Sequence, residues 1–172
     1  MVKEHVAALK AMTLCRALTA AELNAIAGIV EAREVAAGKE LFREGEPGDG
    51  LFLVVAGEFN VVKRGRDGEH TLARLGPGGV LGEMSLVTFE ARSATGRAVV
   101  DARALHLPAA RFRALLQADS IAAHKIVAAI AEVLARRLAT MNGMALELAS
   151  NASPAKTQDL AAMHRTMQVW SF

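Results

Sequence analysis

The chain has 172 residues, 52% hydrophobic and 22% charged, with 20 Lys and Arg against 18 Asp and Glu for a formal net charge of +2. That length predicts one domain with appended helices, able to bury roughly 70% of its surface, and the high apolar content with small net charge excludes a disordered chain. Six Phe, one Trp and no Tyr offer too few aromatic faces for a single-stranded nucleic-acid platform. A pI near 9.0 without a dense cationic block describes a mixed, solvated surface. Cys15 is the one cysteine, which excludes an internal disulfide and a thiolate-held cluster. Histidines 5, 70, 106, 124 and 164 share no metal-ligand spacing, and His106 reads as a structural residue in a strand. The N-terminus has no signal-peptide core, and no apolar run reaches the roughly 18 residues of a membrane helix. A soluble, cytoplasmic protein with no membrane span is therefore expected.

The hydrophobic period changes twice along the chain. Val6, Leu9, Met12, Leu18, Leu23, Ile26 and Val30 recur at helical spacing, and Thr19-Ala20-Ala21-Glu22 has the form of a capping box. These features predict a helical segment over 1–35. From 36 to 108 short apolar runs alternate with turns. Strands are expected at Leu51–Val55, Phe59–Val62, His70–Leu75, Ala98–Val100 and Ala104–Leu107, with an Asp67-Gly68 hairpin signal. Short strands at such intervals indicate an antiparallel barrel or jelly roll. Helical spacing returns over 109–149, where Asp119-Ser120 caps a long helix from Ile121 to Leu148. That helix is longer than one face of a small barrel needs, so part of its stripe is expected to meet another chain, and Met141, Met144 and Leu148 read as dimer or domain packing. Asn151-Ala152-Ser153-Pro154 breaks it and leaves a tail over 150–172 that ends near Trp170.

The segment Gly82-Glu83-Met84-Ser85-Leu86-Val87-Thr88-Phe89-Glu90-Ala91-Arg92-Ser93-Ala94-Thr95 carries the chemistry. A glycine turn opens a short helix whose first N–H groups can face an anion, with the Glu83 carboxylate in its first turn. Arg92 is a forked donor suited to phosphate, and the small Ser93 and Ala94 allow close backbone approach. A carboxylate that accepts from hydroxyls beside a cation that binds charge suits a sugar phosphate.

These residues resemble the phosphate-binding cassette of the cyclic nucleotide-binding domain family, which includes the bacterial catabolite activator, protein kinase regulatory subunits and nucleotide-gated channels. Phe42-Arg43-Glu44-Gly45-Glu46-Pro47-Gly48-Asp49, Leu51–Glu58 and Leu75-Gly76-Pro77-Gly78 fit the same pattern. The resemblance spans roughly residues 9–142 and implies an α+β, mainly β fold: an eight-stranded antiparallel jelly-roll barrel flanked by N-terminal helices and a long C-terminal helix. It implies a cassette at 82–95 in which Glu83 accepts from the ribose 2′-hydroxyl and Arg92 holds the exocyclic phosphate oxygens. Gly82, Met84, Ser85, Ser93 and Ala94 complete the ligand-binding set, and Met141 and Asn142 are the candidate base contacts. Ala91 departs from the family's usual Pro, Gly79 from a frequent Asp and Leu81 from a frequent Phe.

The expected function is a non-enzymatic regulatory sensor that binds cAMP in preference to cGMP, uses no cofactor, and moves its C-terminal helix. Homodimerisation through 120–148 and an effector protein are expected, the effector's identity being open. Residues 151–172 are too few for the helix-turn-helix unit of transcription-factor relatives, so direct DNA binding is not expected. The competing readings are a degenerate scaffold that keeps the fold and senses nothing, and a regulatory piece of a transcription factor or channel.

Overall fold

The computed structural model describes residues 2–88 and 90–150, with side chains through residue 147. The expected tail and the Leu148 end of the apolar stripe lie outside these. The chain forms two compact units, 1–130 and 131–172.

The first unit opens with helix α1 (Val2–Lys10), a single 3-10 turn at Thr13–Cys15 and helix α2 (Ala20–Ala27). Thr19 starts α2 as the sequence predicts: its hydroxyl accepts from the Glu22 N–H at 3.3 Å, and Glu22 accepts from the Thr19 N–H at 2.7 Å. Two donors that the first helical turn leaves without partners are thereby satisfied.

Eight strands follow: β1 (Glu31–Val35), β2 (Glu40–Phe42), β3 (Gly50–Ala56), β4 (Phe59–Gly65), β5 (Gly68–Leu75), β6 (Val80–Leu81), β7 (Thr95–Ala98) and β8 (Ala102–Pro108). They pair antiparallel in two four-stranded sheets, β1-β8-β3-β6 and β2-β7-β4-β5. This is jelly-roll order, as expected. Helix α3 (Glu83–Thr88) interrupts the strands between β6 and β7, and α4 (Ala109–Gln117) and α5 (Ile121–Ser150) follow β8.

β1, the short β2 and the two-residue β6 lie outside the strands expected, and β7 is shifted from its expected place. β1 begins at Glu31, inside the segment 1–35 read as helical. It is a sheet edge whose three central residues are exposed, so its sequence Glu-Ala-Arg-Glu-Val lacks the alternation that announces a strand. β7 occupies Thr95–Ala98 rather than Ala98–Val100. Its pairing to β4 places Ala98 opposite Phe59 and Thr95 opposite Val62, whereas Val99 and Val100 form the bend into β8.

Phe52, Val54, Phe59, Leu81, Ala98, Ala102 and Ala104 make the core between the sheets, with contributions from both. On the other face of β3, Leu51 and Leu53 are also fully buried, and α3 and α4 both contact that strand. Cover on both faces explains why β3 reads as a continuous apolar run. In α5, Ala122, Ala123, Ile126 and Ile130 belong to the core of this unit, and Lys125 bonds both Glu22 carboxylate oxygens of α2 at 2.9 Å. Burial pushes the Cys15 thiol up to about 12, so it is a neutral, buried side chain.

The second unit contains α5 beyond Ile130, where Leu138, Met141, Met144 and Leu146 are exposed. Among the described residues no helix is long and apolar enough to cross a membrane.

Candidate functional site

Arg92 organises the segment between β6 and β7. Its backbone is fixed first: the Arg92 N–H donates to Glu46 O at 2.8 Å, and the Gly45 N–H donates to Arg92 O at 2.9 Å. The turn 45–48 and the end of the cassette are thus joined as a short two-bond ladder.

The guanidinium then runs inward. Its Nη1 donates to Gly50 O at 2.6 Å, Ser85 Oγ at 2.8 Å and Gly82 O at 3.2 Å. Its Nη2 donates to Asp49 Oδ1 at 2.5 Å. The group lies 4.4 Å from the Phe42 ring centroid and 5.5 Å from that of Phe52, a cation over aromatic faces in a dry setting. Arg92 is 3% exposed, and Nε is a buried donor with no hydrogen-bond partner among the described residues. Desolvation lowers its pKa, opposed chiefly by the charge of Asp49 and also by Glu46 and Glu83.

Glycine makes room for this. Gly82 has φ +73°, and a Cβ there would sit 2.1 Å from Arg92 Nη1. Gly50, at φ +149°, would place a Cβ 2.2 Å from Leu107 O and 2.7 Å from His106 Nε2. Both positions require the left-handed backbone and leave no volume for a side chain.

The structure gathers most of the residues expected from sequence. Glu83 is the first residue of α3 and is 3% exposed, directly after the glycine whose carbonyl Arg92 holds. Ser85 is also 3% exposed; its hydroxyl donates to Gly82 O at 3.1 Å while accepting from Arg92. Ala94 is buried and Ser93 exposed, and the Ser93 carbonyl accepts from Lys63 Nζ at 2.8 Å. Met84 is 47% exposed, with its sulfur 3.7 Å from Ser93 Oγ. Met141 and Asn142 are exposed residues of the unit 131–172.

Four contributors escaped sequence reasoning: Phe42, Asp49, Phe52 and His106. Asp49 was the most legible, a lone acid between two glycines immediately before an apolar strand. The aromatic pair beneath Arg92 and the His106 ring stacked 4.5 Å from Phe52 arise from strand register and carry no local signal.

A groove of about 750 Å³ is lined by Glu40, Arg43, Glu44, Val62, Arg64, Glu69, Thr95 and Arg97, and among the described residues it meets the cassette 82–95 at Thr95. Its charges largely neutralise one another: Arg97 pairs with Glu40 at 3.0 Å and Glu69 at 2.9 Å, and Arg43 pairs with Glu40 at 2.5 Å. The buried cation is in the cassette.

Comparison with known proteins places this arrangement. The family profile "Cyclic nucleotide-binding domain" matches residues 32–119, half of the chain. A cyclic AMP receptor protein of Thermus thermophilus is 35% identical over 131 residues, covering 76% of this chain and 59% of the relative. A cyclic nucleotide-gated potassium channel of Mesorhizobium japonicum is 39% identical over 105 residues, covering 61% of this chain and 28% of the channel. The chain therefore spans less than two thirds of these relatives. Among solved structures, a cyclic nucleotide-binding domain from Methylobacillus flagellatus superposes with a TM-score of 0.71 at 25% identity, covering 81% of this chain and 79% of that one. With the family profile matched over half of its length on a jelly roll, the chain belongs to the cyclic nucleotide-binding domain family.

Proposed function

We propose that this domain is a non-catalytic sensor of a cyclic nucleotide, with cAMP the preferred ligand, and that it reports binding through α5. The observation that carries the reading is the pairing of a buried acceptor with a buried, donor-rich cation around one glycine turn, Glu83 and Arg92 about Gly82. Glu83 accepts a ribose hydroxyl, while Arg92 supplies charge and donors to the cyclic phosphate. Burial of both strengthens each interaction relative to water. The sequence relationship to a cyclic AMP receptor protein supports cAMP as the ligand.

Ligand and protein compete for the same guanidinium. To bind a phosphate with Nη1 or Nη2, Arg92 exchanges some of its bonds to Gly50 O, Gly82 O, Ser85 Oγ and Asp49. Two of these partners, Gly82 and Ser85, belong to the turn and helix α3 themselves. Binding therefore loosens and resets α3, which packs on β3. The first turns of α5 are buried through Ile126 and Ile130, and the displacement is proposed to reach the long helix there. A homodimer through 120–148 and an effector protein complete the proposed output.

The same observation favours a second reading. A guanidinium whose Nη1 and Nη2 already bond protein oxygens suits a scaffold that has abandoned ligand binding. Calorimetric titration with cAMP and cGMP separates the two. The sensor reading expects saturable binding, tighter for cAMP; no heat with either nucleotide at millimolar concentration overturns it and leaves the scaffold.

A further inference from the structure

His106 is buried on β8, with only 4% of its surface exposed, and among the described residues neither ring nitrogen makes a well-formed hydrogen bond. A buried imidazole so weakly bonded carries a cost, because its nitrogens have lost water and gained little beyond Asp49. Its position relative to Arg92 gives the cost a use. His106 Nε2 lies 3.6 Å from Asp49 Oδ2, and Asp49 Oδ1 is the oxygen that binds Arg92 Nη2. One carboxylate thus stands between the two groups, and Phe52 supports both, stacked on the imidazole at 4.5 Å and 5.5 Å from the guanidinium.

We propose that His106 is a positioning residue that sets how firmly Asp49 holds Arg92, so that protonation of His106 frees Arg92 for the nucleotide phosphate and makes binding tighter as pH falls. This rests on the reading of Arg92 as the phosphate donor. A neutral imidazole leaves the whole Asp49 charge to Arg92. A protonated imidazole donates to Asp49 Oδ2 and competes for that charge, while the nucleotide's phosphate replaces it at Arg92. The proton comes from solvent and stays on the ring, and no covalent bond changes.

The sign follows from the groups around the ring. Asp49 from the turn before β3 and Glu31 from β1 favour the imidazolium, while Arg33 of β1 opposes it. Glu31 is partly neutralised by Arg111 of α4 at 3.1 Å and by Arg33 at 2.9 Å. Desolvation is the largest influence and holds the His106 pKa below its ordinary value in the free protein. A bound phosphate adds negative charge near the pair and raises that pKa, so binding takes up a proton. Affinity rises as pH falls through the bound-state pKa and levels off below the lower, free-state pKa. A cyclic phosphodiester does not itself titrate in this range.

The test is calorimetric titration of the full chain with cAMP between about pH 8 and about pH 5.5, in two buffers of different protonation heat. The wild type is expected to gain roughly three- to tenfold in affinity at low pH, the range of a pKa shift near one unit, with net proton uptake. His106→Gln is expected to bind with a flat profile. Asp49→Asn, which removes the shared carboxylate, is expected to flatten it as well and covers the case in which His106→Gln does not fold. A wild type that binds cAMP with equal affinity at every pH, or a His106→Gln variant with an unchanged slope, overturns the proposal alone. No binding by the wild type at any pH overturns the sensor reading and this proposal together.

Discussion

Arg92 and Asp49 meet at 2.5 Å although the arginine side chain is 1% exposed and the aspartate 64%. The cation is in the core and its counter-charge is at the water boundary. The two ends of this pair therefore differ in what their loss does. Asp49→Ala leaves a buried cation still bonded to Gly50 O, Gly82 O and Ser85 Oγ, and water screens the missing charge. A loss of about 1–2 kcal/mol in stability is expected. Arg92→Ala strands the Gly50 carbonyl, takes one donor from the Gly82 carbonyl and the Ser85 hydroxyl, which keep their bond to each other, and empties the space against Phe42. Stability is expected to fall by about 2–4 kcal/mol and cAMP binding to weaken by about 2–4 kcal/mol. Urea unfolding and calorimetry read the two effects separately. An Arg92→Ala protein that is folded and binds cAMP with native affinity contradicts the assignment of Arg92 to phosphate.

Gly82 is the position where local backbone and ligand chemistry coincide. Alanine there meets a left-handed φ of +73° and places its Cβ 2.1 Å from Arg92 Nη1. The backbone penalty alone is about 1–2 kcal/mol, and the clash pushes the guanidinium off Gly82 O. Gly82→Ala is expected to lower the melting temperature and to cut cAMP affinity more than tenfold. A variant with a lowered melting temperature but native affinity would show that Arg92 does not need this seat to bind phosphate.

The aromatic support of the cation can be probed without emptying the core. Phe42 is half-buried on β2, and its ring lies 4.4 Å from the centre of the guanidinium. Phe42→Leu keeps an apolar side chain but removes the ring quadrupole. A loss of about 1 kcal/mol is expected in the free protein. If Arg92 leaves this ring to reach the ligand, the same change favours the bound form, and cAMP affinity rises slightly. If Arg92 stays over the ring, affinity falls. Matched unfolding and binding measurements on this variant decide which way the guanidinium moves.

How far the fold was legible in sequence depended on what each element covers. β4 and β5 could be read because short apolar runs flank the Asp67-Gly68 turn, whose signal is local, and α2 because its capping box is complete within four residues. β1 was hidden, since an exposed edge strand needs no apolar face, and β7 was misplaced because its boundary is set by pairing to β4. The same division runs through the site. Gly82, Glu83 and Arg92 were visible because turn chemistry and charge are written in the residues themselves. Asp49 and His106 join the site only through antiparallel pairing, which sets Gly50 opposite Pro108 and Phe52 opposite His106 across β3 and β8. No window of sequence contains that adjacency. Sequence also left open how Arg92 is held, since its acceptors are mostly backbone carbonyls.

The tie between α2 and α5 yields a prediction with a definite pH sign. Glu22 accepts from Lys125 through both oxygens at 2.9 Å and also from the Thr19 N–H. The Lys125 hydrogen bond is the first cause of its lowered pKa, followed by the bond from Thr19. A carboxylate whose folded-state pKa lies below its unfolded value stabilises the fold above the unfolded pKa, and that contribution is lost as pH falls through the folded one. Lys125→Met removes the main cause while keeping an apolar stem on the helix. The variant is expected to melt below the wild type at neutral pH, and the gap is expected to close only as pH falls through the lowered folded-state pKa of Glu22, below which the carboxyl is protonated in both proteins. Added salt should narrow the neutral-pH gap as well, since Lys125 is 35% exposed. A gap that stays constant from neutral to acid pH would mean that Lys125 contributes through packing of its stem, and that Glu22 does not tie α5 to α2.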